Sequence, residues 1–276
     1  RNAILFIEKI FNQLGLTTLL QRKLPVDDSK IEPRGVEVQL PIFQWVLGTP
    51  IKSKGIKLDK LLHQALIEIE TKAYSDASLS DLYPLSLSQR TQVLKGRLNS
   101  WEIIPYFTDL NDTDHKVHTL FFHTRFSTNT DPHPSMAQPF RLIAHNGELN
   151  TDKKNRLSET AIAVAKKRSI ARPKGQSDSC RFDQTLNDRV MNESVDLVTA
   201  VVSMMPPAWE NDYRLSPKIR SMLEYFSLYE EKNDGPAALV FGDGNIIGAR
   251  LDRLGLRPLR TVETVEYLAV MSEAGQ

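Results

Sequence analysis

One cysteine, Cys180, stands among 276 residues, so the chain can form no internal disulfide framework and no site built on several thiolates. Net charge is as scarce. Thirty-five basic residues against 34 acidic ones leave +1, which offers no electrostatic basis for gripping nucleic acid or an anionic membrane surface. No apolar run approaches the ~20 residues needed to span a bilayer, and no secretory signal opens the sequence. Internal repeats, low-complexity tracts and a Pro/Gly/Ser-rich linker are missing too. The expectation is therefore a single domain over residues 1–276, in a reducing cytoplasm, with no nucleic acid and no membrane among its partners. Its 41% apolar residues supply enough material for a sizeable core.

What is present reads as mixed helices and antiparallel strands, an α+β arrangement. Apolar residues at helical spacing predict helices over Arg1–Gln13 and Leu58–Tyr74, with Gly15 stopping the first. Leu16–Leu24 reads as a strand, and Val36–Leu47 as a second one interrupted by Pro41. Tyr83–Leu110 is expected to be a sheet segment. Further helices are expected over Asn155–Ser169, Asp183–Asn192 and Val195–Met205, and another after the Ser216-Pro217 start signal. Two apolar runs flanking Asp243-Gly244 predict a hairpin over Ala237–Arg250, and Leu256–Thr261 and Tyr267–Met271 add strands.

The stretch His118–Asn150 holds two short apolar strand candidates, Thr119–Phe122 and Phe140–Ala144, each running into a polar cluster. Strand ends can hold side chains rigidly at the rim of a pocket. Arg125 could grip a carboxylate with its two-pronged guanidinium, or form a structural ion pair. In Asn146-Gly147, a side-chain N–H beside a backbone N–H could hold a developing oxyanion; the alternative is a plain Asn-Gly turn. Asp178, in the loop Gly175-Gln176-Ser177-Asp178-Ser179, could meet a substrate ammonium or cap the helix that follows. Five histidines between His115 and His145 lack the i, i+4 helical spacing of a metal site and read as loop residues, so no metal is expected. Gly242-x-Gly244 reads as a hairpin turn, because no helix follows it to cradle a phosphate.

Arg125-Phe126-Ser127-Thr128-Asn129-Thr130, then Ala137-Gln138-Pro139-Phe140-Arg141, then Ala144-His145-Asn146-Gly147-Glu148 and the later Gln176-Ser177-Asp178-Ser179 together resemble a known family. It is the glutaminase domain of the glutamate synthase large subunit, among the class II glutamine amidotransferases. The resemblance implies an αββα sandwich of the N-terminal-nucleophile hydrolases and hydrolysis of L-glutamine to glutamate and ammonia. The ammonia would pass to a synthase domain, the implied partner, for reductive amination of 2-oxoglutarate. Flavin mononucleotide and an iron–sulfur cluster are implied for that synthase part, with no cofactor in this chain. By the same resemblance, Arg125 binds the α-carboxylate of glutamine, Asp178 its α-amino group with help from the backbone at Thr128, and Asn146 and Gly147 form the oxyanion hole.

The family's nucleophile is a cysteine at the mature N-terminus, whose free amine serves as base. Residue 1 here is arginine, and Gly15-Leu16 with Leu24-Pro25-Val26-Asp27 resembles a region well inside the family's domain. The expectation is a fold incomplete at its N-terminus and without the catalytic cysteine. A non-catalytic remnant that binds glutamine or supports a partner is the alternative. Cys180 has no α-amine beside it and reads as a buried, inert thiol. Departures from the family pattern are Cys180-Arg181-Phe182-Asp183 after the Ser-Asp-Ser, Leu254 in place of asparagine in Asp252-Arg253-Leu254-Gly255-Leu256-Arg257-Pro258, and Pro207 in place of an acid before Ala208-Trp209. The charges of the Asp252–Pro258 motif read as packing or interdomain residues, and Pro207-Ala208-Trp209 as a helix stop with an aromatic core anchor.

Overall fold

Helix α1 (Asn2–Gln13) buries Ile7, Ile10 and Phe11, the stripe that its 3.6-residue periodicity places on one face. That stripe packs on Leu58, Leu62, Ala65 and Ile69 of the long helix α3 (Ile56–Ser75). In this computed structural model, which describes residues 2–50, 52–125, 133–151, 153–167, 171–228, 230 and 232–273, the chain divides into two compact units, residues 1–138 and 139–276.

The first unit adds an antiparallel pair, β1 (Thr17–Lys23) with β2 (Phe43–Gly48), whose register shifts between Thr18 and Leu20. Trp45 on β2 meets the Phe11 ring edge-on and donates from Nε1 to Glu8 at 2.6 Å, tying the pair to α1. The strand expected from Val36 begins only at Phe43. Pro33–Val36 instead forms a one-turn helix, α2, and Pro41, having no N–H to give a ladder, lies outside the strand. Tyr83–Leu110 is not the expected sheet segment either. Among the described residues its pairing is limited to an isolated antiparallel bridge from Phe107 to Val26, just after the one-turn helix α4 (Ile103–Tyr106), and polar groups before it find side-chain partners. Val93 N–H donates to Ser86 Oγ, and Arg97 N–H to Gln39 Oε1. Thr119–Phe122 carries no strand at all. Leu120 and Phe122 are exposed, and with no neighbouring strand an apolar run this short cannot satisfy its backbone.

In the second unit β3 (Ile143–Gly147), β4 (Ala237–Gly242) and β5 (Ile247–Leu251) form an antiparallel sheet in the order β3-β4-β5. The expected hairpin is the β4–β5 connection. Asp243 N–H donates to the Ile246 carbonyl across Gly244-Asn245, and Gly244 takes φ +88°, the left-handed value such a turn requires. The same unit holds α5 (Lys153–Ala165), α6 (Asp178–Met191), α7 (Leu197–Met204) and α8 (Pro217–Ser227). Leu239 and Phe241, two apart on β4, share one face with Ile143 and pack on Phe182, Leu186, Val201 and Met204 of α6 and α7. As expected from Ser216-Pro217, the Ser216 hydroxyl caps α8 by accepting from Ile219 N–H. A last antiparallel pair, β6 (Arg260–Glu263) with β7 (Leu268–Met271), completes a mixed α+β structure of small sheets. Among the described residues no helix is long and apolar enough to cross a membrane.

One buried carboxylate organises the connection from β5 to β6. Asp252, 4% exposed, accepts from the N–H groups of Ala237, Leu254, Leu256 and Arg257 at 3.0–3.1 Å. Burial pushes its pKa up, but those backbone donors outweigh burial and hold it below the ordinary carboxylate value. A carboxyl depressed in the fold stabilises above its unfolded pKa and stops doing so as pH falls through its folded one. Asp252→Asn is therefore expected to cost about 2 kcal/mol at pH 7. The cost should begin to shrink as pH falls below about 4, where the unfolded chain's carboxyl takes up its proton first, and shrink further as pH falls through the lower folded pKa. Urea unfolding at pH 7 and pH 3 checks this; an equal penalty at both would refute the charge-based account.

Candidate functional site

The Asn-Gly pair lies within the end of a strand, not in a turn. Asn146 is opposite Ala238 and Gly147 opposite Ala237 on β4. Gly147 has φ +107°, and a Cβ there would lie 1.8 Å from the carbonyl oxygen of Pro236. Only glycine fits so close an approach of two backbones. Next to it, Glu148 N–H donates to that same carbonyl at 3.1 Å.

Successive residues of a strand face opposite ways, and the two before Gly147 find different partners. His145 is buried on the helix-covered face, where Nε2 meets Ser179 Oγ of α6 at 2.5 Å. Asn146 faces the other way. Its amide nitrogen donates to Ser272 Oγ at 2.8 Å and to Glu273 Oε1 at 3.3 Å, both just beyond β7.

Helix α6 is tied to β3 at the middle of the strand and at its start. Besides the His145–Ser179 contact, buried Asp183 accepts from the N–H groups of Leu142 (2.8 Å), Ile143 (3.2 Å) and Arg141 (3.3 Å), fixing the entry into β3. Sequence reasoning gave Asp183 no role. Its signal was faint, the middle one of three aspartates, Asp178, Asp183 and Asp188, spaced five apart along an amphipathic helix.

Asp178 is not the helix cap. Ser177 is, its hydroxyl accepting from Cys180 N–H at 3.1 Å, which leaves Asp178 in the first turn at the positive end of the helix dipole. One oxygen of Asp178 accepts from Thr151 N–H at 3.2 Å, four residues beyond Gly147. The other pairs with the Arg156 guanidinium of α5. A cation thus already stands against this carboxylate, and no sequence pattern pointed to Arg156. Among the described residues no hydrogen bond joins Asp178 to Asn146.

Cys180 is buried in the α6 core, 2% exposed, with Gln176 Nε2 3.3 Å from its sulfur. Arg125 belongs to the first unit, exposed, in a segment without strand structure and so not at the strand end its sequence suggested. Its backbone N–H donates to His123 Nδ1 at 3.2 Å. Thr128 lies outside the described residues. The two packing motifs meet each other: Ala208 N–H donates to the Arg253 carbonyl, and Arg253 reaches both oxygens of Glu210 at 2.8 and 2.9 Å. Among the described residues no group of three His, Cys, Asp or Glu side chains could hold a metal ion.

Comparison with known proteins agrees with the motifs. A family model described as "Glutamine amidotransferases class-II" matches residues 1–276. Similar curated proteins include "Glutamate synthase [NADH]" of Schizosaccharomyces pombe, 33% identical over 100% of this chain and 14% of its own length. "Ferredoxin-dependent glutamate synthase 2" of Synechocystis sp. is 34% identical over 98% of this chain and 18% of its own length. "Ferredoxin-dependent glutamate synthase, chloroplastic" of Oryza sativa subsp. japonica has the same figures. The chain thus spans less than a fifth of the length of these relatives.

Proposed function

Because the chain belongs to the class II glutamine amidotransferases, we propose that it serves as the glutaminase part of a glutamate synthase. In this reading L-glutamine is hydrolysed to glutamate and ammonia, and the ammonia feeds reductive amination of 2-oxoglutarate in a synthase part. Flavin mononucleotide and an iron–sulfur cluster would serve that synthase part; this chain, with one cysteine, holds neither in the reading. Residues 1–276 would together form one αββα-type domain, working in the cytoplasm.

The observation that carries the reading is Asn146-Gly147 at the end of β3, with Gly147 in a backbone approach that admits no side chain. In the family's chemistry a thiolate attacks the glutamine carboxamide carbon and the carbonyl oxygen becomes an oxyanion. Ammonia then leaves with a proton from the base, and water hydrolyses the thioester. Asn146 Nδ2–H and Gly147 N–H would receive the oxyanion. Arg125 would take the α-carboxylate, and Asp178, with the Thr128 backbone, the α-ammonium. Cys180 is buried and is assigned to packing.

A second reading, glutamine binding without catalysis, draws on the partners these groups already have. The Asn146 amide donates to Ser272 and Glu273, and Asp178 pairs with Arg156.

Both readings require glutamine to bind. Calorimetric titration of the 276-residue chain should show binding of L-glutamine and none of D-glutamine. Arg125→Lys is expected to weaken it roughly tenfold or more, since an ammonium cannot reproduce the fork. Asp178→Asn should weaken it similarly. Absence of L-glutamine binding by the folded parent would end both readings.

A further inference from the structure

Ser272, Glu273, Arg257 and the buried Asp252 link the Asn146 amide to the backbone that pairs with Gly147. Starting from β3, the Asn146 amide nitrogen donates to Ser272 Oγ at 2.8 Å and to Glu273 Oε1 at 3.3 Å. Glu273 Oε1 accepts from the Arg257 guanidinium at 3.2 Å. Arg257 is held through its backbone N–H, which donates to Asp252 Oδ2 at 3.1 Å. The same Asp252 oxygen accepts from Ala237 N–H at 3.1 Å, and Ala237 is the residue opposite Gly147 on β4. The path returns to β3 one residue from where it left.

What such a circuit can do follows from the chemistry of an asparagine side chain. Its terminal torsion is broad and roughly two-fold, so an unrestrained amide presents either N–H or C=O to a given point. A carbonyl turned toward a developing oxyanion would repel it. An ionised glutamate only accepts hydrogen bonds, so the group facing Glu273 must be the NH2. The shorter Ser272 contact then fixes the plane of the amide. The Arg257 guanidinium, 3.2 Å from Glu273 Oε1, holds that side chain in place, though both are partly exposed, at 32% and 56%.

We infer that Ser272 and Glu273 are positioning residues for the Asn146 amide, registered to Gly147 through Arg257 and Asp252. This rests on the glutaminase reading. Ser272 carries most of the effect because its contact is the shorter. Glu273 selects the NH2 edge, and its longer contact gives way when an oxyanion accepts that hydrogen bond in its place.

The test uses the native gene product, assayed for glutamine-dependent ammonia release. Ser272→Ala should lower kcat about tenfold with KM unchanged. Ser272→Thr, which keeps the hydroxyl, should restore most of it. In an Asn146→Ala background, Ser272→Ala should have no further effect, as expected for residues acting through one another. Unchanged kcat in Ser272→Ala beside a low kcat in Asn146→Ala would overturn the inference and leave the glutaminase reading standing. The same loss in both backgrounds would also overturn it, by showing a general structural defect. An unaffected Asn146→Ala would remove the reading and the inference together.

Discussion

Gly147→Ala is expected to destabilise the second unit by about 3 kcal/mol or more. Two effects add. The φ of +107° is a conformation that side chains rarely adopt, and the new Cβ would lie 1.8 Å from the Pro236 carbonyl oxygen, far inside contact distance. That oxygen belongs to the backbone, so it cannot rotate away as a side-chain end could. It also accepts from Glu148 N–H, so moving it breaks a second contact. The strand pair Gly147–Ala237 must open, and with it the backbone N–H proposed for the oxyanion. Thermal unfolding followed by circular dichroism should show a fall of roughly 6–12 °C. Gly15→Ala gives the comparison. There φ is +73° but the nearest atom to a Cβ is 3.6 Å away, so only the backbone term of about 1 kcal/mol should remain. Equal losses at the two glycines would show that the close approach at Pro236 contributes nothing.

Asn146→Ala should leave stability within about 1 kcal/mol of the parent, since it removes a partly exposed hydrogen bond to Ser272. Its expected effect on chemistry is far larger. A donor that meets charge only as the oxyanion develops contributes to the transition state and not to the bound substrate. Its loss should therefore lower kcat for ammonia release from glutamine by about 100- to 1,000-fold, equivalent to about 3–4 kcal/mol, with KM nearly unchanged. Steady-state kinetics on the native gene product, with glutamine binding measured separately on the 276-residue chain, divide the two quantities. A rise in KM at constant kcat would make Asn146 a binding group and withdraw the oxyanion assignment.

The sequence by itself determined those elements whose cause is local. A 3.6-residue apolar stripe gave α1 and α3, an N-cap serine before proline gave α8, and Asp243-Gly244 between two apolar runs gave the β4–β5 hairpin. The motif around Asn146-Gly147 was legible for the same reason, as neighbours in the chain. Only the tertiary structure decided what depends on distant partners. Thr119–Phe122 and Tyr83–Leu94 have strand-like composition, but a strand exists only where another backbone pairs with it, and among the described residues none does. The reverse holds for Asp183 and Asp252, unremarkable acids in the sequence that become buried acceptors for backbone N–H groups 41 and 15 residues away. Asn146 joins both cases: its place at the strand end was readable, while Ser272, the partner that orients its amide, lies 126 residues on. Short-range torsional preference can be read from neighbours in sequence, whereas hydrogen-bond partners separated by a hundred residues are chosen by the packing of the whole unit.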